Sequence, residues 1–259
     1  MLLDIVGRAS KSANIPVRAL HLQALMHLPR IAGLNGMLLD AQAAAEVLRV
    51  ANFVPSWPEW DSPIVPSNRA VEWQVREIKD QCARQIFERF HYIGSYRPHS
   101  QHYGMWTNGH WGRPAVAASV SENDVEFLRG LAAEASIRPE RSRVLSRVFA
   151  FPHTPPNAIS TLLSRIARQQ KLLGVELLLT YVNPNLGFTG VSYRASNWIL
   201  IGSEEIQAYY YVDDRYITNR ELDTRFGSHD PERLSRLLGR RFASSVMPLS
   251  PLLVFARRL

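Results

Sequence analysis

The stretch from Val144 to Trp198 constrains this chain more than any other. It opens with the apolar run VLSRVFAF and continues through a helical segment, PNAISTLLSRIARQQKLLG. It then returns to a second apolar run, VELLLTYV, before a turn-rich piece that ends at Trp198. Two strand-length apolar runs with one helix between them are the pattern of a parallel pair joined by a crossover helix. In such a unit chemistry collects where strands end and the helix begins, because backbone N–H groups are unused there. Ser146, Arg147, Asn157, Ser160, Asn183 and Tyr193 all fall near those ends.

The flanks extend this unit. Val71, Trp73 and Val75 alternate as a first strand, and Asp80–Phe90 reads as a helix with Gly94 as its stop signal. HYGMW and RPAVAASVS are strand-like runs on either side of Asn108-Gly109, a pair that favours a tight hairpin turn. A helix from Asp124 to Ala135 leads into the central unit. Beyond it, WILIG, AYYYVDD and RYIT read as strands, the segments around Asn219–Arg225 and Pro231–Leu238 as helices, and PLLVFARRL as a closing strand. The consistent fold class is α/β, a mixed sheet with helices on both sides.

Residues 1–66 read as a helical extension. Pro16 suits the first turn of one helix and Leu38–Ala51 forms a second, while Pro55, Pro58, Pro63 and Pro66 set a boundary before a domain over 67–259. Nothing in the extension carries chemistry, so docking or homodimer formation is its expected use.

The formal net charge is +7, and 27 of the 30 basic residues are arginine. Such a surface suits polyanions, nucleic acid or a phosphate-bearing donor, although codon bias gives the same composition. There is no apolar run of membrane-spanning length and no secretory signal pattern, so the expectation is a cytoplasmic protein without a membrane partner. A single cysteine, Cys82, excludes an internal disulfide and an all-cysteine metal site.

Individual residues admit two readings each. His91 and Tyr92, at a helix end, reach the range of a general base and a proton donor with modest tuning, or simply satisfy local backbone. Arg147, inside an apolar strand, needs a polar partner or an edge position. Asn157 is the natural N-cap of the crossover helix with Ser160 three residues on; the three prolines and missing glycine before it exclude a glycine-rich phosphate loop. Asn183 stands just past a strand and Tyr193 ten residues later, where a hydroxyl can serve a departing group or pack. His99 and His102 complete no metal-ligand set.

Taken together, His91-Tyr-Ile-Gly94, Ser146-Arg147, Asn157–Ser160, Tyr181-Val-Asn-Pro184 and Gly190-Val-Ser-Tyr-Arg-Ala-Ser-Asn-Trp198 resemble the Mom-type DNA-modification proteins of phages, a divergent branch of the GNAT acyltransferase fold. The resemblance covers residues 70 to 245. It implies a GNAT-like sheet whose central strands splay around an acyl-type donor, with the exocyclic amine of adenine in DNA as acceptor. By position it assigns catalytic roles to His91, Tyr92, Asn183 and Tyr193, and donor binding to Arg147, Asn157 and Ser160. Two positions depart from it: an aspartate is expected at Asn183 and a histidine at Phe188.

The implied activity is N-acyl transfer, with an acyl-CoA or an aminoacyl-tRNA as donor and no metal assigned. Partners would be DNA or tRNA and the small acyl donor. Two other readings stand beside it: transfer to a small-molecule amine, and a non-catalytic nucleic-acid binder whose splay is filled by side chains.

Overall fold

The computed structural model of the chain describes residue 7 and residues 72–259, other than 92, 108–112, 152–153, 185–187, 207, 214 and 245–249. The expected N-terminal helices, Tyr92 and the Asn108-Gly109 turn lie outside the described residues.

The chain order is β1 (Trp73–Glu77), α1 (Asp80–Phe90), β2 (Gln101–Thr107), β3 (Val116–Glu122), α2 (Glu126–Glu134), β4 (Ser142–Ala150), α3 (Ala158–Leu172) and β5 (Leu177–Val182). There follow α4 (Val191–Arg194), β6 (Ile199–Glu204), β7 (Tyr210–Val212), β8 (Arg215–Ile217), α5 (Asn219–Phe226), α6 (Pro231–Leu238), β9 (Phe242–Ser244) and β10 (Leu252–Arg258). Seven strands form one sheet in the order β1-β2-β3-β4-β5-β10-β6. Its β4–β5 pair is parallel, bridged by α3, and every other pair is antiparallel. The expected mixed sheet and crossover unit are therefore present.

Helices cover both faces because β3 alternates. Ala117 packs beneath α1 with Phe149 and Phe151, whereas Ala118 joins the α3 side with Leu145, Leu162 and Ile166. Along α1 the buried positions are Ala83, Ile86, Phe87 and Phe90, the spacing of one apolar helical stripe. α2 shares the α1 face through Leu128 and Ala132, which meet Val144, Leu179 and Val254.

Two irregularities shape the centre. Ser119 pairs with Arg147 but Val120 pairs with Leu145, so Ser146 is an extra residue, a β-bulge in β4. The bulge puts both Leu145 and Val148 on the α3 side, three positions apart. The second irregularity is that β4 and β5 pair only over Ser142–Val144 and Leu177–Leu179. Beyond that, β4 stays with β3 and β5 with β10, and the strands part as the GNAT resemblance implies.

One expectation needs correction. AYYYVDD and RYIT do not extend the main sheet. They form β7 and β8 of a separate three-stranded antiparallel sheet, order β8-β7-β9. Each of its strands is three residues long. Its stability comes from a core of its own, in which Tyr210, Val212, Ile217 and Phe242 pack on Leu222 of α5 and Leu234 of α6. Local capping fixes these helices: the Thr218 hydroxyl accepts from the Glu221 N–H, and Asp230 accepts from the Glu232 N–H ahead of Pro231. Among the described residues no helix is long and apolar enough to cross a membrane.

Candidate active site

Where β4 and β5 part, the sheet opens into a cavity of about 810 Å³. His91, Arg147, Asn183 and Tyr193 are on its wall. They arrive from different faces. His91 ends α1, on one side of the sheet, and Tyr193 sits on α4 in the core cluster of α3, on the other. The gap between β4 and β5 is what lets both open onto one space.

His91 is 8% exposed, with its ring edge-on to Phe87. The Ile93 N–H donates to its Nδ1 at 3.3 Å, so the neutral ring carries its proton on Nε2. Burial, reinforced by the nearby Arg147 charge, pushes its pKa well below the ordinary histidine value. The ring is thus neutral at pH 7, and its N–H is a hydrogen-bond donor.

Arg147 holds this corner together. Its guanidinium donates to the Ser95 carbonyl (3.2 Å), the Ser95 hydroxyl (3.1 Å) and the Ser146 carbonyl (2.7 Å). The segment after His91 is thereby tied to the bulge in β4.

Asn183, at the end of β5, is 6% exposed, and its Oδ1 accepts from the Tyr209 hydroxyl at 3.0 Å. Tyr209 is buried just ahead of β7 and brings the second sheet against the cavity. Next to it, the Tyr181 hydroxyl donates to the Glu204 carboxylate at the end of β6. Burial and that carboxylate push the Tyr181 pKa far up, so the phenol keeps its proton. Sequence reasoning missed Tyr209 and Glu204, and took Tyr181 only as part of the Tyr181–Pro184 motif, without its partner. Their partners lie 26 and 23 residues away, and the AYYY run signalled only a strand.

Tyr193 is set by its neighbours in the Gly190–Trp198 motif. Its ring lies parallel to Phe255 (5.8 Å between centroids) and edge-on to Trp198 (5.4 Å). Gly190 has φ +75°, and a Cβ there would come within 2.5 Å of the Phe255 ring. Only glycine lets α4 settle on that aromatic floor.

Asn157 corrects the capping expectation. It occupies the position before α3 in a left-handed conformation, φ 63°, and its side chain caps nothing. Instead the Ser160 hydroxyl donates to the Asn157 carbonyl at 3.0 Å. Pro155 and Pro156 force an extended approach, and the left-handed residue turns the chain into the helix. Neither side chain is on the cavity wall, but Ile159 of the same turn is. The first turn of α3 still offers backbone N–H groups beyond its internal ladder. Phe188, the other departure from the resemblance, is on the wall.

His102 is part of the interior, its Nδ1 at 2.7 Å from the Ser119 hydroxyl and its Nε2 at 3.6 Å from Asp80. Among the described residues no group of three or more His, Cys, Asp or Glu could hold a metal ion.

Among solved structures, the chain is similar to an IAA acetyltransferase from Bacillus cereus, at 10% identity and TM-score 0.41 over 73% of this chain and 100% of that one. It is also similar to an agmatine N-acetyltransferase, at 12% identity and TM-score 0.44 over 73% of this chain and 100% of that one. A spermidine N-acetyltransferase from Vibrio cholerae, solved with CoA and spermine, matches at 8% identity and TM-score 0.38 over 72% of this chain and 95% of that one. No curated protein matches the chain in sequence. The profile of the Mom protein family matches residues 72–243, and this chain belongs to that family.

Proposed function

We propose that the chain is an N-acyltransferase-like enzyme that moves an acyl-type group from an activated carbonyl donor to the exocyclic amine of adenine in DNA. The observation that carries this reading is the cavity where β4 and β5 part, whose wall takes residues from both faces of the sheet. It gives an acyl group a path from the α3 side, where a donor's charged part meets the first turn of α3 around Asn157–Ser160, to the α1 side. The donor class is an acyl-CoA or an aminoacyl-tRNA. Membership of the Mom family and a net charge of +7 support a nucleic-acid partner.

In the transfer, the amine nitrogen attacks the donor carbonyl carbon and the bond from that carbon to the leaving sulfur or oxygen breaks. Tyr193 supplies a proton to the leaving atom. His91, neutral with Nε2–H, suits a donor to the developing oxyanion better than the base expected from sequence. Arg147 keeps His91 in place through Ser95. Asn183 cannot take a proton as a carboxylate does; it holds Tyr209 at the acceptor side.

A volume of about 810 Å³ suits one base or a small amine but not a duplex. A DNA acceptor must therefore be flipped out of its stack. An open cavity, rather than a splay filled by side chains, favours a transferase over a non-catalytic binder.

The test is nucleoside analysis of plasmid DNA from cells expressing the protein, with a Tyr193→Phe control. A new adenine adduct absent from the control supports the reading. Unmodified DNA together with transfer to a small amine moves the acceptor assignment, and no transfer to either removes the enzyme reading.

A further inference from the structure

The cavity wall carries one group that none of the roles above uses. Among the described residues Glu204 and Glu205 are the carboxylates on it. Glu205 is exposed; Glu204 is half-buried at the end of β6. Within the described residues Glu204 accepts from the Tyr181 hydroxyl and makes no ion pair. In a chain with an excess of arginine this is unusual. Arg97 and Arg220 are already engaged by Asp124, and Arg147 by Ser95 and Ser146.

Sheet register places Glu204 beside the acceptor end of the site. Glu204 pairs with Leu252 of β10, and Leu253 pairs with Val182, the residue before Asn183. Directly opposed residues share a face, and two strand spacings are roughly 10 Å. Tyr181 belongs to the α1–α2 face, packed against the cluster of Leu179 and Val254. The Tyr181–Glu204 bond therefore puts the carboxylate on the face opposite Tyr193. Phe188 and Tyr209 are on the same cavity wall.

A carboxylate fixed by one donor keeps lone pairs for another, and the complementary ligand group is an N–H. We infer that Glu204, steadied by the Tyr181 hydroxyl, recognises the exocyclic amine of a planar acceptor and takes its proton as the amine attacks. The inference rests on the transferase reading above. The balance is complete: the C–N bond forms, the bond to the leaving group breaks with its electron pair, one amine proton passes to Glu204, and Tyr193 protonates the leaving atom. Other titratable and charged groups on the same cavity are Tyr181, Glu205, Tyr209, Tyr210 and His229, with His91, Arg97 and Arg147 from the α1 side and Tyr193 from α4.

The test uses the purified full chain and two probes, adenosine and purine riboside, which lacks the exocyclic amine. By calorimetric titration the natural protein should favour adenosine roughly tenfold, the worth of one hydrogen bond to a charged group. Glu204→Gln should bring the two affinities together while leaving the thermal midpoint in place, since the amide still accepts from Tyr181. Tyr181→Phe, which frees the carboxylate without removing it, should weaken the preference but not abolish it. Equal affinities in the natural protein, a preference that survives Glu204→Gln, or no binding of either probe overturns the inference. Where transfer is measurable, Glu204→Gln should lower kcat by roughly 10²–10⁴-fold. An unchanged kcat removes the proton-taking role. Binding and transfer separate the two ideas: transfer without an adenosine preference leaves the enzyme reading standing and takes Glu204 out of it.

Discussion

The Thr180 hydroxyl donates to the Leu145 carbonyl at 2.8 Å, and it bridges β4 and β5 where their backbone pairing ends. Backbone pairing has already stopped at Val144 and Leu179, so a side chain closes the apex of the opening. Thr180→Val keeps the shape and removes the donor, leaving a buried carbonyl short of a partner. The expected cost is about 1–3 kcal/mol in chemical denaturation. A variant as stable as the natural protein would show that the apex is held by packing alone.

Gly190 faces a harder limit. Alanine there meets both a left-handed backbone and the Phe255 ring. Gly190→Ala should destabilise by roughly 1–3 kcal/mol and displace Tyr193, so any transfer activity should fall further than stability does. Unfolding curves and activity measured on the same samples separate the two effects.

Acid pH should weaken the fold through histidine. Burial holds both His91 and His102 below the ordinary value, with Arg147 adding to the effect at His91 and Asp80 opposing it at His102. Above about pH 6.5 these side chains are neutral in both states and contribute no slope. As pH falls below that, the unfolded chain takes up protons that the folded chain refuses, and stability drops. Urea midpoints at pH 7.5 and 5.5 should show the loss, and His91→Gln should reduce it.

Arg147 is expected to act on His91 rather than on the sheet alone. Arg147→Met removes a cation and the bonds to Ser95, so the His91 pKa should move up toward its ordinary value. An NMR titration of the ring reads this directly. A His91 resonance that titrates as before would place Arg147 outside its environment.

Much of this architecture was legible because its signals are local. α1 spans Asp80–Phe90 and α6 spans Pro231–Leu238 as their apolar periods and boundary residues indicate, and the β4–α3–β5 unit follows from two apolar runs around a helix. What escaped depends on geometry rather than pattern. Asn157 looks like a cap by residue type but adopts a left-handed turn after two prolines. The three-residue strands of the second sheet carry too little alternation to reveal which sheet they join. His91, Arg147, Asn183 and Tyr193 were each visible as residues near element ends. The hydrogen-bond partners that set their chemistry, Ile93, Ser95 and Tyr209, were not, because those bonds depend on how the loops and the second sheet pack against the strands.

Ser146 has a consequence for how β4 tolerates change. One supernumerary residue inverts the parity of the strand, so its two halves follow opposite odd–even rules for which helical layer a side chain meets. A substitution suited to an odd position before Ser146 is suited to an even one after it. Removing Ser146 would restore a single phase while Leu145 stays opposite Val120 and Arg147 opposite Ser119, so both halves would keep their faces. At this one point the strand can therefore change in length without turning its side chains over.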